Sequence, residues 1–163
     1  AYAAGTGQIY FNLRGRESQG CVAPAEVKPL AEEIRRQLLA LRDTDRGDAV
    51  VVKKVYLASD VFRGRRSSDA PDLQIAFAPG YRTSWETVLG GIPGALFADN
   101  DKKWSGDHAA SDAADTPGIV LSNRPVDKPD PHIVDVAPTA HALFHRSTPE
   151  YYAGKSLFTG DPR

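Results

Sequence analysis

The sequence predicts an α/β protein, and three observations carry that expectation. Val27, Leu30, Ile34, Leu38 and Leu41 recur at spacings of three and four, which sets them on one face of a helix. Ala49 to Leu57 is rich in valine and Leu73 to Ala78 alternates, the patterns of strands. Further on, an apolar run over 118–123 precedes a helical pattern over 133–144, and a strand followed by a helix completes the α/β reading.

Taken in order, Ile9 to Leu13 is a short apolar and aromatic run closed by Arg14-Gly15-Arg16, a strand ending in a turn. The first helix starts near Pro24 and Pro29, where missing amide donors cost little. Glu32, Glu33, Arg35, Arg36 and Gln37 form its solvated side, and Asp43 to Gly47 ends it. Asp60 to Pro71 is polar and basic. Its Arg63, Arg65 and Arg66 could clamp a phosphate, because guanidinium forks suit phosphoryl oxygens; an exposed loop is the reading favoured.

Pro79-Gly80 stops the second strand, and Tyr81-Arg82-Thr83-Ser84-Trp85 leads into a Gly-rich connection around Pro93. With Trp104 this makes an aromatic-bearing irregular region of about 30 residues, a length typical of functional loops. It is expected to form an ordered wall of a cleft. Gly118 to Asn123, bounded by Pro117 and Pro125, is expected as a buried strand. The final helix opens near Asp135, has Pro138 in its first turn and carries apolar residues at Ile133, Val136, Ala137, Ala140 and Phe144.

The 163 residues, 41% hydrophobic and 25% charged, suit one globular domain. A net charge of −1 gives no electrostatic case for nucleic acid or an anionic membrane, and no apolar run approaches the roughly 20 residues that span a bilayer. Cys21 is the one cysteine, so an internal disulfide is excluded and the compartment is not readable. The chain lacks methionine and runs almost at once into its first strand. It is therefore expected to be cut from something longer, with loss of an initiator as the simpler alternative.

Chemistry concentrates in Lys103-Trp104-Ser105-Gly106-Asp107-His108. Small neighbours leave the His108 ring room to reach an ion or a substrate; the same residues also suit an ordinary turn. Asp107 ranks below His108, as an acceptor behind it or a turn acid, because adjacent residues rarely face one ion. His141 and His145 have the four-residue spacing of helical zinc ligands, but no glutamate follows His141 and no third ligand is placed. His132 is assigned nothing. Ser105, Thr83 and Ser84 are loop hydroxyls outside any G-x-S-x-G elbow, and no phosphate-binding loop or dinucleotide fingerprint occurs.

The segments Ile9 to Glu17, Ala70 to Leu73, Pro79 to Trp85, Trp104 to His108, Pro117 to Asn123 and Asp135 to Thr139 together resemble one family, in one order and register. It is the type I phosphodiesterase/nucleotide pyrophosphatase branch of the alkaline phosphatase superfamily. The resemblance implies a metal-dependent phosphoester hydrolase with two zinc ions (manganese or magnesium as substitutes), whose Thr or Ser nucleophile is phosphorylated and then released by water. By resemblance His108 is a metal ligand, the one role carried over to a residue; Tyr81, Arg82, Trp85 and Trp104 would then be candidates for the substrate wall, and an acceptor such as Asp107 would fix the tautomer of the His108 ring. The family's early metal-binding Asp, its nucleophile and its Asp-His-Gly motif do not occur in this chain. Where the family tends to place Gly after the last helix, the chain has His145-Arg146-Ser147.

The fold implied is the C-terminal part of a three-layer, mostly parallel α/β architecture. Residues near 20–100 would form a peripheral α+β or cap part, and 101–150 the core loop, strand and final helix. The expected partners are the N-terminal portion of the same enzyme and a phosphoester substrate, and the chain alone is expected to be inactive. A different reading makes it a non-catalytic processed fragment that is structural or self-associating, through apolar surface and sheet edges left without a partner. Substrate identity, the choice between diester, monoester and sulfate ester, and the compartment are not legible.

Overall fold

A computed structural model describes residues 1–4, 7–103, 112 and 114–158. It shows a mixed α/β chain with a small antiparallel sheet and a few helices, in two compact units, Ala1–Thr116 and Pro117–Arg163. Among the described residues, no helix is long and apolar enough to cross a membrane.

In the first unit, β1 (Tyr2–Ala4), β2 (Gln8–Tyr10), β5 (Val52–Leu57) and β6 (Leu73–Phe77) form one sheet in the order β1-β2-β6-β5. Every neighbouring pair is antiparallel. Gly7, at φ +82°, makes the reversal between β1 and β2, a conformation that a Cβ disfavours. The helix α1 (Val27–Ala40) packs its apolar stripe onto β5. Phe11, Ala31, Val51, Val52, Val55, Leu73 and Ile75 form the buried core, with Val27, Leu30, Ile34 and Leu38 against it. The periodicity of α1 therefore read its buried face correctly.

Three sequence expectations shift within this unit. The first strand stops at Tyr10 rather than Leu13, because the Phe11 amide donates to the Asp72 carboxylate at 2.6 Å instead of continuing the ladder. Arg16 grips the same carboxylate with two nitrogens, at 3.1 and 2.7 Å, and also donates to the Phe11 carbonyl. Asp43 to Gly47 does not end α1, which closes at Ala40. It builds the turn between β3 (Arg42–Asp43) and β4 (Ala49–Val50). Finally, Ala49 to Leu57 is divided at Val51, so that β4 pairs with β3 while β5 pairs with β6.

β5 carries an irregularity between Val52 and Lys54, where Val52 faces Phe77 and Lys54 already faces Ala76. Lys53 is thus the extra residue of a bulge, which lets two consecutive lysines leave the strand on compatible sides. A bulge and two lysines on β5, with a three-residue β1 at the opposite side, blunt both edges of the sheet against strand addition. The arginines of the following loop are exposed. Arg63 folds back onto the Ser59 carbonyl within α2 (Ala58–Val61), and Arg66 pairs with Asp69 at 2.6 Å.

The second unit departs further from expectation. Gly118 to Asn123 forms no strand, and Ile119 and Leu121 are 84% and 91% exposed. An apolar run becomes a strand only where a neighbour answers its backbone groups, and no strand occurs among the described residues of this unit. The final helix exists, as a short 3-10 turn over Ile133–Asp135 leading into α4 (Val136–Leu143), and it does not bury its most apolar residues. Asp135, Pro138 and Thr139 are buried, whereas Ile133, Val136 and Phe144 are exposed.

Asp135 is the reason. Its fully buried carboxylate accepts from Lys128 Nζ at 2.6 Å and from the His132 and Lys155 amides at 2.7 and 2.9 Å. Thr139 donates to the Asp135 carbonyl and accepts from the Leu157 amide at 2.9 Å, so residues 155–157 are stitched to the helix. The turn after α4 is a Schellman motif: the Arg146 amide reaches the His141 carbonyl and the His145 amide reaches Ala142. His145 adopts φ +50° there, a position that normally takes glycine.

The backbone makes three substitutions informative. His145→Gly should stabilise the second unit by about 1 kcal/mol, read as a higher unfolding midpoint, by removing the left-handed penalty on a side chain. Gly154→Ala should destabilise it by about 1–3 kcal/mol, because a Cβ there overlaps the Val134 carbonyl. Gly20→Ala should act similarly on the first unit, against the Leu13 carbonyl.

Candidate functional site

The irregular region after β6 is built on Tyr81. Its hydroxyl donates to Asp43 Oδ2 at 3.0 Å, and its ring meets Phe97 edge-on with centroids 6.4 Å apart. Asp43 is buried at the foot of the β3–β4 turn, where it also accepts from the Asp45 amide at 3.2 Å. Burial, then the hydrogen bond to Asp43 and its charge, push the Tyr81 phenol upward. Arg46, 3.8 Å from Asp43, pairs in addition with Asp99. Residues 82–96 are therefore held at both ends, by Tyr81 on entry and by Phe97 and Asp99 on exit.

Within that excursion the Arg82 guanidinium lies 4.6 Å over the Trp85 ring, a cation–π distance. The Arg82 Nε donates to the Thr83 carbonyl at 3.2 Å. Ser84 caps α3 (Trp85–Val88) by accepting from the Glu86 amide at 3.2 Å, so its Oγ serves the backbone rather than standing free as a nucleophile. Thr83 is half-buried. Leu89, Ile92 and Leu96 are strongly exposed beyond it.

Of the sequence-predicted wall, the structure brings Arg82 and Trp85 together, while Tyr81 packs against the core. Trp104, Ser105, Asp107 and His108 lie outside the described residues. Among the described residues no group of three or more His, Cys, Asp or Glu side chains is placed to hold a metal ion. His141 Nδ1 is 2.9 Å from the Ser147 carbonyl and the ring meets Tyr152 edge-on. His145 sits past the end of α4, so the four-residue spacing does not put the two imidazoles on one helical face.

Sequence reasoning missed Asp112. Its side chain is 3% exposed, and Oδ1 accepts from the Ala114 amide at 3.1 Å and the Tyr56 hydroxyl at 3.3 Å. Oδ2 is ion-paired with Lys53 at 2.9 Å and with Lys54 at 3.4 Å. Lys53 reaches Asp115 as well, at 2.7 Å. The Asp112 carbonyl accepts from the Asp115 and Thr116 amides. Lys53 first, and then the Ala114 amide, hold the Asp112 carboxyl far below the usual carboxylate range. The signal was present in Val51-Val52-Lys53-Lys54-Val55, where two consecutive lysines break a valine-rich strand.

Arg35, Lys53, Lys54, Tyr56 and Asp60 also line a cavity of about 340 Å³. Asp112 and Asp115 already answer the two lysines, so the cavity has no surplus of positive charge with which to recruit an anion.

No family model matches the chain, and no curated protein or solved structure matches it.

Asp135 makes the second unit sensitive to acid. Lys128, with the Lys155 and His132 amides, lowers its carboxyl from 3.8 to about 2. A folded-state value below the unfolded one contributes stability that is complete above the unfolded value and lost as pH falls through the folded one. The second unit should therefore lose stability between about pH 4 and pH 2. Asp135→Asn should flatten the dependence in that window, at the cost of a lower midpoint at neutral pH; circular dichroism melts across pH 2–7 measure both.

Proposed function

We propose that this chain is the C-terminal portion of a metal-dependent phosphoester hydrolase of the phosphodiesterase/nucleotide pyrophosphatase type. The alkaline-phosphatase-like fold and zinc dependence belong to the same proposal. The chain would contribute His108 as a metal ligand and Arg82, Trp85 and Trp104 to the substrate wall. Tyr81 would fix the wall from behind, and Asp107 would act behind His108.

The observation that carries the reading is the clasp between two resemblance-bearing segments 56 residues apart. Arg16 of Ile9 to Glu17 grips Asp72 of Ala70 to Leu73 with both guanidinium branches, a pairing that only this combination of residues provides. Support also comes from His145, which has left-handed backbone where the family tends to carry Gly. In this reading the antiparallel sheet with α1 is the peripheral α+β part, and the parallel sheet comes from polypeptide outside this chain.

The described residues do not fit a metal centre by themselves. When bound by the intact parent, zinc would act as a Lewis acid on the phosphoryl oxygens. This chain's own part would be to supply one imidazole and, through the Arg82–Trp85 pair, a cationic and aromatic surface for an anionic substrate.

A second reading, a non-catalytic unit that binds a partner or itself, is favoured by the outward Ile119, Leu121, Ile133, Val136 and Phe144. The two readings part on activity. The isolated chain should hydrolyse no phosphoester with zinc, manganese or magnesium supplied, while the intact parent should do so with metal and lose the activity on His108→Ala. A parent inert toward phospho- and sulfo-esters under those conditions sinks the enzymatic reading.

A further inference from the structure

We propose that the outward face of α4 is a self-association surface, on which two copies of this chain pair with their helices antiparallel. The proposal rests on the self-associating reading and gives it a face, an occupant and a register; it does not require the parent to be a hydrolase. Ile133, Val136, Ala137, Ala140 and Phe144 are spaced so that they share a stripe about 100° wide along one side of the helical path. Ile133, Val136 and Phe144 are 82%, 53% and 77% exposed, and both alanines are exposed as well. The opposite side holds Asp135, Pro138 and Thr139, all buried. This helix thus commits its polar side inward and leaves its apolar side in water, where covering it is favourable.

The chemistry of the stripe selects its occupant. From Ile133 to Phe144 the one Asp, Glu, Lys or Arg is Asp135, which is buried and paired with Lys128. The outward face therefore brings no such charge to desolvate and offers none to a charged partner. It also lacks the lysines and arginines with which an interfacial helix grips a membrane. A like face answers it. In an isologous pair, residue i meets j wherever j meets i. The stripe is centred between Pro138 and Thr139, with Ala137 and Ala140 equally spaced about that point and Ile133 and Phe144 equally spaced farther out. Antiparallel copies then set alanine against alanine, where small side chains allow the helices to approach, and Ile133 against Phe144 of the second copy. The ends decide the direction. Asp130 precedes the stripe and Arg146 follows it, both exposed, so antiparallel pairing brings opposite charges together at each end and parallel pairing brings like ones. Five side chains, two of them alanine, fall well short of the roughly 20–30 residues a side of a standard interface. The pair is accordingly transient, half-formed at about 0.1–1 mM.

The test is sedimentation velocity of the full chain from about 10 µM to about 1 mM. The average mass should climb from that of one chain toward that of two. Ala140→Glu should weaken the association by about tenfold or more and leave the unfolding midpoint of the dilute chain unchanged, because residue 140 faces water in the single copy. Register is read by cross-linking in a Cys21→Ser background, which removes the exposed native thiol. Chains carrying Ile133→Cys, mixed with chains carrying Phe144→Cys, should form a mixed disulfide under copper–phenanthroline oxidation. Ile133→Cys chains alone should form none, because two such sites in an antiparallel pair lie about 16 Å apart along the helices, beyond disulfide reach. A chain that stays monomeric throughout overturns the proposal and self-association with it. Association indifferent to Ala140→Glu, or a disulfide formed by Ile133→Cys chains alone, overturns the proposal and leaves self-association standing on another face or in another register.

Discussion

A carboxylate taken out of water has to be answered by donors, and this chain places irregular backbone with three buried acids, Asp43, Asp112 and Asp135, and with the half-buried Asp72. Asp72 collects Arg16 and the Phe11 amide. Asp43 collects the Tyr81 hydroxyl and the Asp45 amide. Asp112 collects two lysines, a tyrosine and an amide, and Asp135 collects one lysine and two amides. Each set joins residues that regular secondary structure would not bring together. The energetic logic is asymmetric: an answered buried charge contributes modestly, while an unanswered one is severely destabilising. These acids therefore specify arrangement more than they supply stability.

That asymmetry explains what could be read from residues and what could not. The presence of α1, β5 and β6 and the buried face of α1 were legible because apolar periodicity decides them, while the end of α1 and the start of β5 were not. The outward face of α4 was not, because its apolar residues follow a helical repeat while Asp135 determines which side turns inward. A buried acid looks identical in sequence to a solvated one. The run over 118–123 failed for a related reason, since strand formation depends on a neighbour that composition does not reveal. At the candidate site, the aromatic character of 81–85 was legible and the pairing of Arg82 with Trp85 could be built from it. The root of Tyr81 in Asp43, and the role of Asp112, depend on contacts across 38 and 56 positions.

Asp43 holds one end of the excursion over 82–96 through Tyr81, and Asp72 ties Arg16 and the Phe11 amide to the start of β6. Loops that carry chemistry need rigid attachment, and in this unit the attachment is ionic and hydrogen-bonded rather than apolar. The exposed leucines and isoleucine beyond Trp85 belong to neither attachment.

The bulge in β5 has an implication for how the chain tolerates insertion and deletion. Excising Lys53 would leave Val52 opposite Phe77 and Lys54 opposite Ala76 with no interruption, a strand better formed than the natural one. The surplus residue is thus dispensable to the ladder and indispensable to the carboxylate it reaches. Sheet architecture alone does not call for Lys53; the buried Asp112 carboxylate that it reaches does.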